Sequence, residues 1–328
     1  MNIRWSGRFA AHAPILAVGA LLALTPLATS ANTVLNGMVL ALLVALAGQG
    51  WNILGGYGGE FSFGHAAFFG TGAYGTAILQ ARCGVNAYAA FAAAIALGAA
   101  VGAIIGFLSF RSGLRGSYFA LVTLAFAEVF RIVANASPLA GGSAGTLLKL
   151  DVRPENFQFA SRAVYFWIAL ALVTLAMVIT RALERSRFGA YLVAIRENED
   201  AAKALGVDTL TVKLRAITLS AAITAAAGAF YVQYFLFVDS NIAYGAAISV
   251  EALLAPIIGG LGTVFGPLVG ALALHGLAEG AKALTGRTPG FDLALYGLLL
   301  VLVIAFAPEG VQGLAARVGR GLSLRRAP

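Results

Sequence analysis

Apolar positions run along this chain in long uninterrupted blocks separated by short polar punctuation, with neither the strict alternation of surface strands nor the one-sided stripe of soluble helices. Read by window, the blocks predict ten spans: Ala13 to Ala31, Thr33 to Leu54, Phe63 to Leu79, Ala87 to Phe110, Ser117 to Val133, Ala163 to Thr180, Ala216 to Val238, Ile248 to Ile258, Val264 to Leu284 and Phe291 to Ala307. Most are near the length of about 20 residues that crosses a hydrocarbon layer of about 30 Å. The eighth is too short to cross without tilting or help.

Composition sharpens the picture. Of 328 residues, 60% are hydrophobic and 11% charged, against roughly 45–50% and about 25% in soluble chains. A water-soluble fold is excluded. The 40 glycines suit closely packed or broken helices, so the expected class is an all-α polytopic transmembrane bundle of about ten spans with broken or re-entrant glycine-rich segments. The whole chain, 1–328, reads as one transmembrane domain, with an outer loop at 135–162, an inner loop at 181–215 and a basic tail at 308–328. The single Cys83 excludes a disulfide framework and any cysteine-based metal site. His12, His65 and His275 show no zinc-protease spacing, which ranks a membrane-embedded enzyme last and leaves no metal site expected.

The net charge of +8 matters less than where the cations fall. Arg4, Arg8, Arg111, Arg115, Arg181, Arg185, Arg187, Arg196, Lys203, Lys213, Arg215, Arg317, Arg320, Arg325 and Arg326 all lie in segments on one side of the predicted spans. The positive-inside rule makes that side cytoplasmic, with both termini inside. Cations between spans also argue against nucleic acid as a partner. A cleaved signal peptide over the first 31 residues is the alternative for the N-terminal block; it would leave every later loop on the same side.

Two loops are long enough to act. The outer one carries Pro138 and Gly141-Gly142-Ser143-Ala144-Gly145 and predicts irregular structure over the outer mouth. In the inner one, Phe188, Leu192, Ile195, Ala202 and Leu205 share a helical face, with Arg196, Glu197, Glu199, Asp200 and Lys203 elsewhere. One amphipathic helix is expected, stopped by Gly206. Three acids would be repelled by an anionic leaflet, so docking of this stripe, with small Ala201 and Ala202, to a protein partner is the better reading than a helix on headgroups.

The glycines between Gly55 and Gly70 each cost a continuous helix about 1 kcal/mol relative to alanine, so this segment is expected to unwind or turn back beside a pathway. Gly56, Tyr57, Gly58, Ser62, Gly64 and His65 are candidate pathway residues, Ser62 and the amides near Gly58 and Gly64 offering hydrogen bonds to a passing solute. Tight packing without solute contact is the competing reading, and His65 fits a hydrogen-bonded structural role better than a ligand or proton carrier. Intramembrane carboxylates cost roughly 2.5–3.5 kcal/mol even on lenient scales. Glu128 has Arg131 three residues on for an ion pair, whereas Glu251, a further pathway candidate, faces either water or the bundle.

Gly55-Gly56-Tyr57-Gly58-Gly59-Glu60-Phe61-Ser62-Phe63-Gly64-His65-Ala66 resembles the hallmark of LivM-type permeases of branched-chain amino acid ABC importers. Arg115-Gly116-Ser117-Tyr118-Phe119, Ser186-Arg187-Phe188-Gly189, Ala194-Ile195-Arg196-Glu197-Asn198-Glu199 and Ile258-Gly259-Gly260-Leu261-Gly262-Thr263 follow in the family's order. The resemblance implies an inner-membrane subunit importing small hydrophobic amino acids by alternating access, together with a second LivH-type permease, two ATP-binding subunits and an extracytoplasmic binding protein. It implies no cofactor on this chain. Consistently, none of Lys149, Lys203, Lys213 or Lys282 follows Gly or precedes Ser or Thr, so the phosphate-cradling lysine motif is missing. Asp200-Ala201-Ala202, then Gly206, is similar to the importer coupling motif, with Asp for Glu and Ser220 where proline is typical. The resemblance thus assigns ATPase coupling to Phe188, Leu192, Ile195, Arg196, Glu197, Glu199, Ala201, Ala202 and Gly206. Urea, short amides or aromatic acids as solutes, and an autonomous secondary transporter or channel, stay open.

Overall fold

The computed structural model describes residues 4–29 and 31–284 and scattered positions from 291 to 301. The tenth expected span lies largely, and the 308–328 tail wholly, outside the described residues. The fold is helical: α1 (Arg4–Ala23), α2 (Thr25–Ala28), α3 (Asn32–Trp51), α4 (His65–Ala81), α5 (Ala87–Arg111), α6 (Gly116–Ala136), α7 (Arg162–Glu184), α8 (Arg187–Glu197), α9 (Glu199–Ala204), α10 (Thr209–Phe235), α11 (Ser240–Ala243), α12 (Ala246–Gly259) and α13 (Gly266–Leu284). Among the described residues, six helical segments are long and apolar enough to cross a membrane: Asn32–Tyr57, Ala87–Arg111, Gly116–Ala136, Arg162–Glu184, Thr209–Phe235 and Ser240–Gly259. The last reaches 20 residues only by joining α11 to α12 across Tyr244 and an extended Gly245; α12 itself has 14 residues, so the eighth segment is longer than expected but still short for a single span.

Helices α3, α4 and α10 form the buried centre, flanked by α5 and α7. Trp51, Phe68, Phe69, Phe166 and Phe230 are sealed within it. Helix α1 lies along α7, with Ile15 buried, Gly19 against Thr174 and the Trp167 indole donating to the Ala23 carbonyl at 3.1 Å. Without a hydrophobic drive between helices in lipid, such close approaches carry the packing.

The bundle has two distinct ends. At one, the 135–162 loop forms short 3₁₀ turns and a two-residue strand β1 (Thr146–Leu147) that pairs antiparallel with β2 (Phe237–Val238). This meets the expectation of irregular structure there, and Arg131 closes the same end by binding both Glu128, at 2.6 Å, and Asn241, at 2.7 Å. The other end gathers the 181–215 loop, Arg115 and the glycine-rich turn, bonded to one another.

Candidate functional site

The glycine block does unwind. Helix α3 passes into a π-helical turn, Asn52–Tyr57, and helix does not resume until His65. Asn52 holds the turn to the α12–α13 connection: its Nδ2 donates to the Thr263 carbonyl and its Oδ1 accepts from the Gly262 amide, each at 2.9 Å. Gly56 must be glycine here, since a Cβ would sit 2.1 Å from Asn52 Oδ1 and 2.8 Å from the Gly262 nitrogen. Gln49, one turn earlier, donates to the Val264 carbonyl at 2.6 Å. Tyr57 ends the turn by donating to Glu184 at 2.5 Å, and Glu184 also pairs with Arg181.

Ser62, Gly64 and His65 are turned inward. The Ser62 hydroxyl accepts from the Gly64 amide at 3.2 Å and lies 3.1 Å from His65 Nδ1, while His65 Nε2 lies 2.8 Å from the Ser220 hydroxyl. All three side chains are fully buried. Ser220 of α10, the residue standing where importers commonly carry proline, therefore receives the imidazole. Both ring nitrogens of His65 lie within hydrogen-bond reach of a hydroxyl, and the Ser62 hydroxyl and Gly64 amide are engaged with each other.

The 181–215 loop departs from the expected single helix. Asn198 breaks it: α8 ends at Glu197, and the Asn198 side chain accepts from the Ala201 amide to start α9. Gly206, at φ +86°, closes α9 as expected, its amide donating to the Lys203 carbonyl and that of Val207 to the Ala202 carbonyl. The apolar stripe is not offered outward. Leu192, Ile195 and Ala202 are buried in the chain's own core, Phe188 is partly buried against it, and Leu205 leaves the stripe at 86% exposure. Amphipathic spacing identified a buried face; the chain itself covers it. Ala201, Glu197 and Asp200 face solvent.

What joins this loop to the glycine turn is polar. Arg196 Nη1 donates to the Gly56 carbonyl at 2.9 Å, and its aliphatic stem crosses Gly59, whose φ of +71° and missing Cβ make the room. Beside it, Lys213 of α10 places Nζ 2.5 Å from Glu60 and 3.1 Å from Glu199, and 4.7 Å from the centre of the Phe110 ring. Arg115 joins from the start of α6, 3.1 Å from Glu199 and 3.2 Å from Asp200. Burial pushes the Glu60 carboxyl above its usual range, with Lys213 partly offsetting it. Burial alone would raise Glu199 too, but Lys213, Lys203 and Arg115 outweigh it and hold it below. Four elements thus meet on one ammonium. Lys213, Glu60, Asn52 and Ser220 were not among the sequence candidates; the only visible signal was a lone lysine and a lone glutamate at the margins of two apolar runs.

Glu251 stands apart from this junction. It lies on α12 with His275 of α13 in a cavity of about 240 Å³ walled by apolar residues of α3. Among the described residues no group of three or more histidine, cysteine or acidic side chains is placed to hold a metal ion.

Comparison with known proteins agrees with the motif order. The sequence model of the branched-chain amino acid transport system / permease component family matches residues 33–304. The chain is 28% identical over 296 residues to the high-affinity branched-chain amino acid transport system permease protein LivM of Escherichia coli, covering 83% of this chain and 68% of that one. It is 27% identical over 294 residues to BraD of Pseudomonas aeruginosa and 26% identical over 295 residues to LivH of Escherichia coli, covering 85% of this chain and 94% of each relative. No solved structure matches the chain. With the match running from α3 through α13, across the glycine turn, the 181–215 loop and the α12–α13 connection, this chain belongs to the branched-chain amino acid transport system permease family.

Proposed function

We propose that this chain is a transmembrane permease subunit of an ABC importer, passing branched-chain or other small hydrophobic amino acids inward by alternating access. The carrying observation is the family match over 33–304, supported by a junction that bonds the 181–215 loop to the glycine turn through Arg196 and Lys213. Alternating access needs a stiff element that moves with the ATPases and is fixed to the spans. Helices α8 and α9 suit that role, their inner faces packed and ion-paired and their outer faces free.

In this reading the chain sits in the bacterial inner membrane with the basic end cytoplasmic and both termini inside. It works with a second LivH-type permease, two ATP-binding subunits and an extracytoplasmic binding protein, and carries no cofactor of its own, ATP being bound by its partners. Residues 1–328 act as one permease domain.

The test is leucine uptake by proteoliposomes holding the assembled complex. Uptake is expected to require ATP and binding protein. Uptake by this chain alone without ATP would replace the reading with an autonomous transporter.

A further inference from the structure

Glu251 is an ionisable side chain in the middle of an apolar span, accessible on the surface of the chain, with no hydrogen-bond or ion-pair partner among the described residues. A carboxylate cannot rest against lipid tails without heavy cost, and intramembrane acids turn to protein or to water-filled space. This face of α3, α12 and α13 is therefore not a lipid face. The cavity beside Glu251 is lined by Leu40, Leu43, Val44 and Ile248, with His275 and Tyr231 as its other polar groups. His275 is itself held in place by a close approach: its Nε2 would lie 2.4 Å from a Cβ on Gly37. Apolar walls with a few placed polar groups are the general form of a small-molecule site.

Resting on the importer reading, we propose that this cavity is the transit site for the solute, with Glu251 taking its ammonium group, the His275 imidazole donating to its carboxylate and the α3 wall taking an aliphatic side chain. The occupant is a zwitterionic aliphatic amino acid. The pairing disfavours urea and amides, whose neutral N–H groups can hydrogen-bond to Glu251 but bring it no cation. It also disfavours acids without an amine, which would meet like charge. Gly37 is a positioning residue, because any side chain there pushes the imidazole out of its seat.

The experiment uses the assembled complex in proteoliposomes with ATP and binding protein, comparing leucine with alanine uptake. Glu251→Gln is expected to lower leucine uptake at least tenfold while the complex still co-purifies and its binding-protein-stimulated ATP hydrolysis persists; Glu251→Asp is expected to recover most of it. Ile248→Phe narrows the wall and is expected to reduce leucine uptake several-fold more than alanine uptake. Undiminished uptake by Glu251→Gln overturns the proposal, as does equal loss of both solutes in Ile248→Phe. Loss of co-purification with the sister permease in Glu251→Gln also overturns it, making the face a subunit seam. If the unaltered complex shows no ATP-driven amino acid uptake, the importer reading itself falls, a result separable from any variant.

Discussion

The ammonium of Lys213 lies 2.5 Å from the Glu60 carboxylate with both side chains almost sealed from water. Glu60 belongs to the glycine turn and Lys213 to the first turns of α10, so this one contact fixes the unwound backbone to a continuous span. A buried pair of this kind is weak evidence for net stability, but deleting one partner strands the other. Lys213→Met strands two carboxylates, Glu60 and Glu199, and is expected to cost on the order of 3–5 kcal/mol. Thermal unfolding of the detergent-solubilised protein checks this. Lys213→Met combined with Glu60→Gln should recover part of the loss, and a double variant no more stable than the single one would show that the pair is not coupled.

The same cluster sets a pH dependence. Glu60 is raised above its ordinary value of 4.5 in the fold, so between 4.5 and its folded value the native state holds more protons than the unfolded chain. Its contribution to stability falls as pH rises through that window. Glu199 is lowered from 4.5, so its contribution falls as pH drops below that point. Stability of the unaltered protein is expected to decline on both sides of this region. Glu60→Gln should flatten the decline above 4.5 and leave the decline below it in place. The shape of the melting-temperature curve against pH is the readout, and parallel curves for both proteins would dismiss Glu60 as its source.

Helices α4 and α10 touch backbone to backbone at two reciprocal points. A Cβ on Gly72 would lie 2.0 Å from the Ala225 carbonyl oxygen, and one on Gly228 would lie 1.9 Å from that of Phe69. Gly72→Ala and Gly228→Ala must separate the helices and are each expected to cost about 1–3 kcal/mol or more. Gly276 of α13 has nothing within 4 Å of such an atom, and Gly276→Ala should be neutral or stabilising by up to about 1 kcal/mol. Yields and melting temperatures of the three variants provide the check.

The parts of this architecture that depend on local composition were legible in the chain. Apolar runs marked the helices, the glycine density before His65 marked the break, and Gly206 marked the end of α9. The Glu128–Arg131 pair followed from a spacing of three. Direction was not legible. The stripe through Leu192, Ile195 and Ala202 shows by its period that it buries, but the same period serves whether the cover is a partner or the chain's own core. Nor does any local pattern join Glu60 to Lys213, since bundle topology alone brings those distant residues to one point. The Ser62 network was not legible for the same reason: Ser220, far along the chain, completes it through His65.

That inward direction reassigns the residues on which docking of a partner should depend. Ala202 is buried, so Ala202→Trp overpacks this chain's own interior and is expected to lower its stability by about 1–3 kcal/mol or more. Gly206 has a left-handed φ of +86° with open space around it, so Gly206→Glu should cost about 1–2 kcal/mol through its backbone alone. Neither variant isolates docking. Leu205, at 86% exposure, and Tyr191, at 43%, lie on the uncovered side of α8 and α9, where an apolar side chain gains nothing from the fold. Leu205→Glu is expected to leave the melting temperature of the isolated chain almost unchanged, within about 0.5 kcal/mol. In the assembled complex it should weaken capture of the ATP-binding subunits and lower binding-protein-stimulated hydrolysis several-fold. A destabilised isolated chain would mean that Leu205 packs internally, and full hydrolysis with normal capture would remove this surface from the contact with the ATPases.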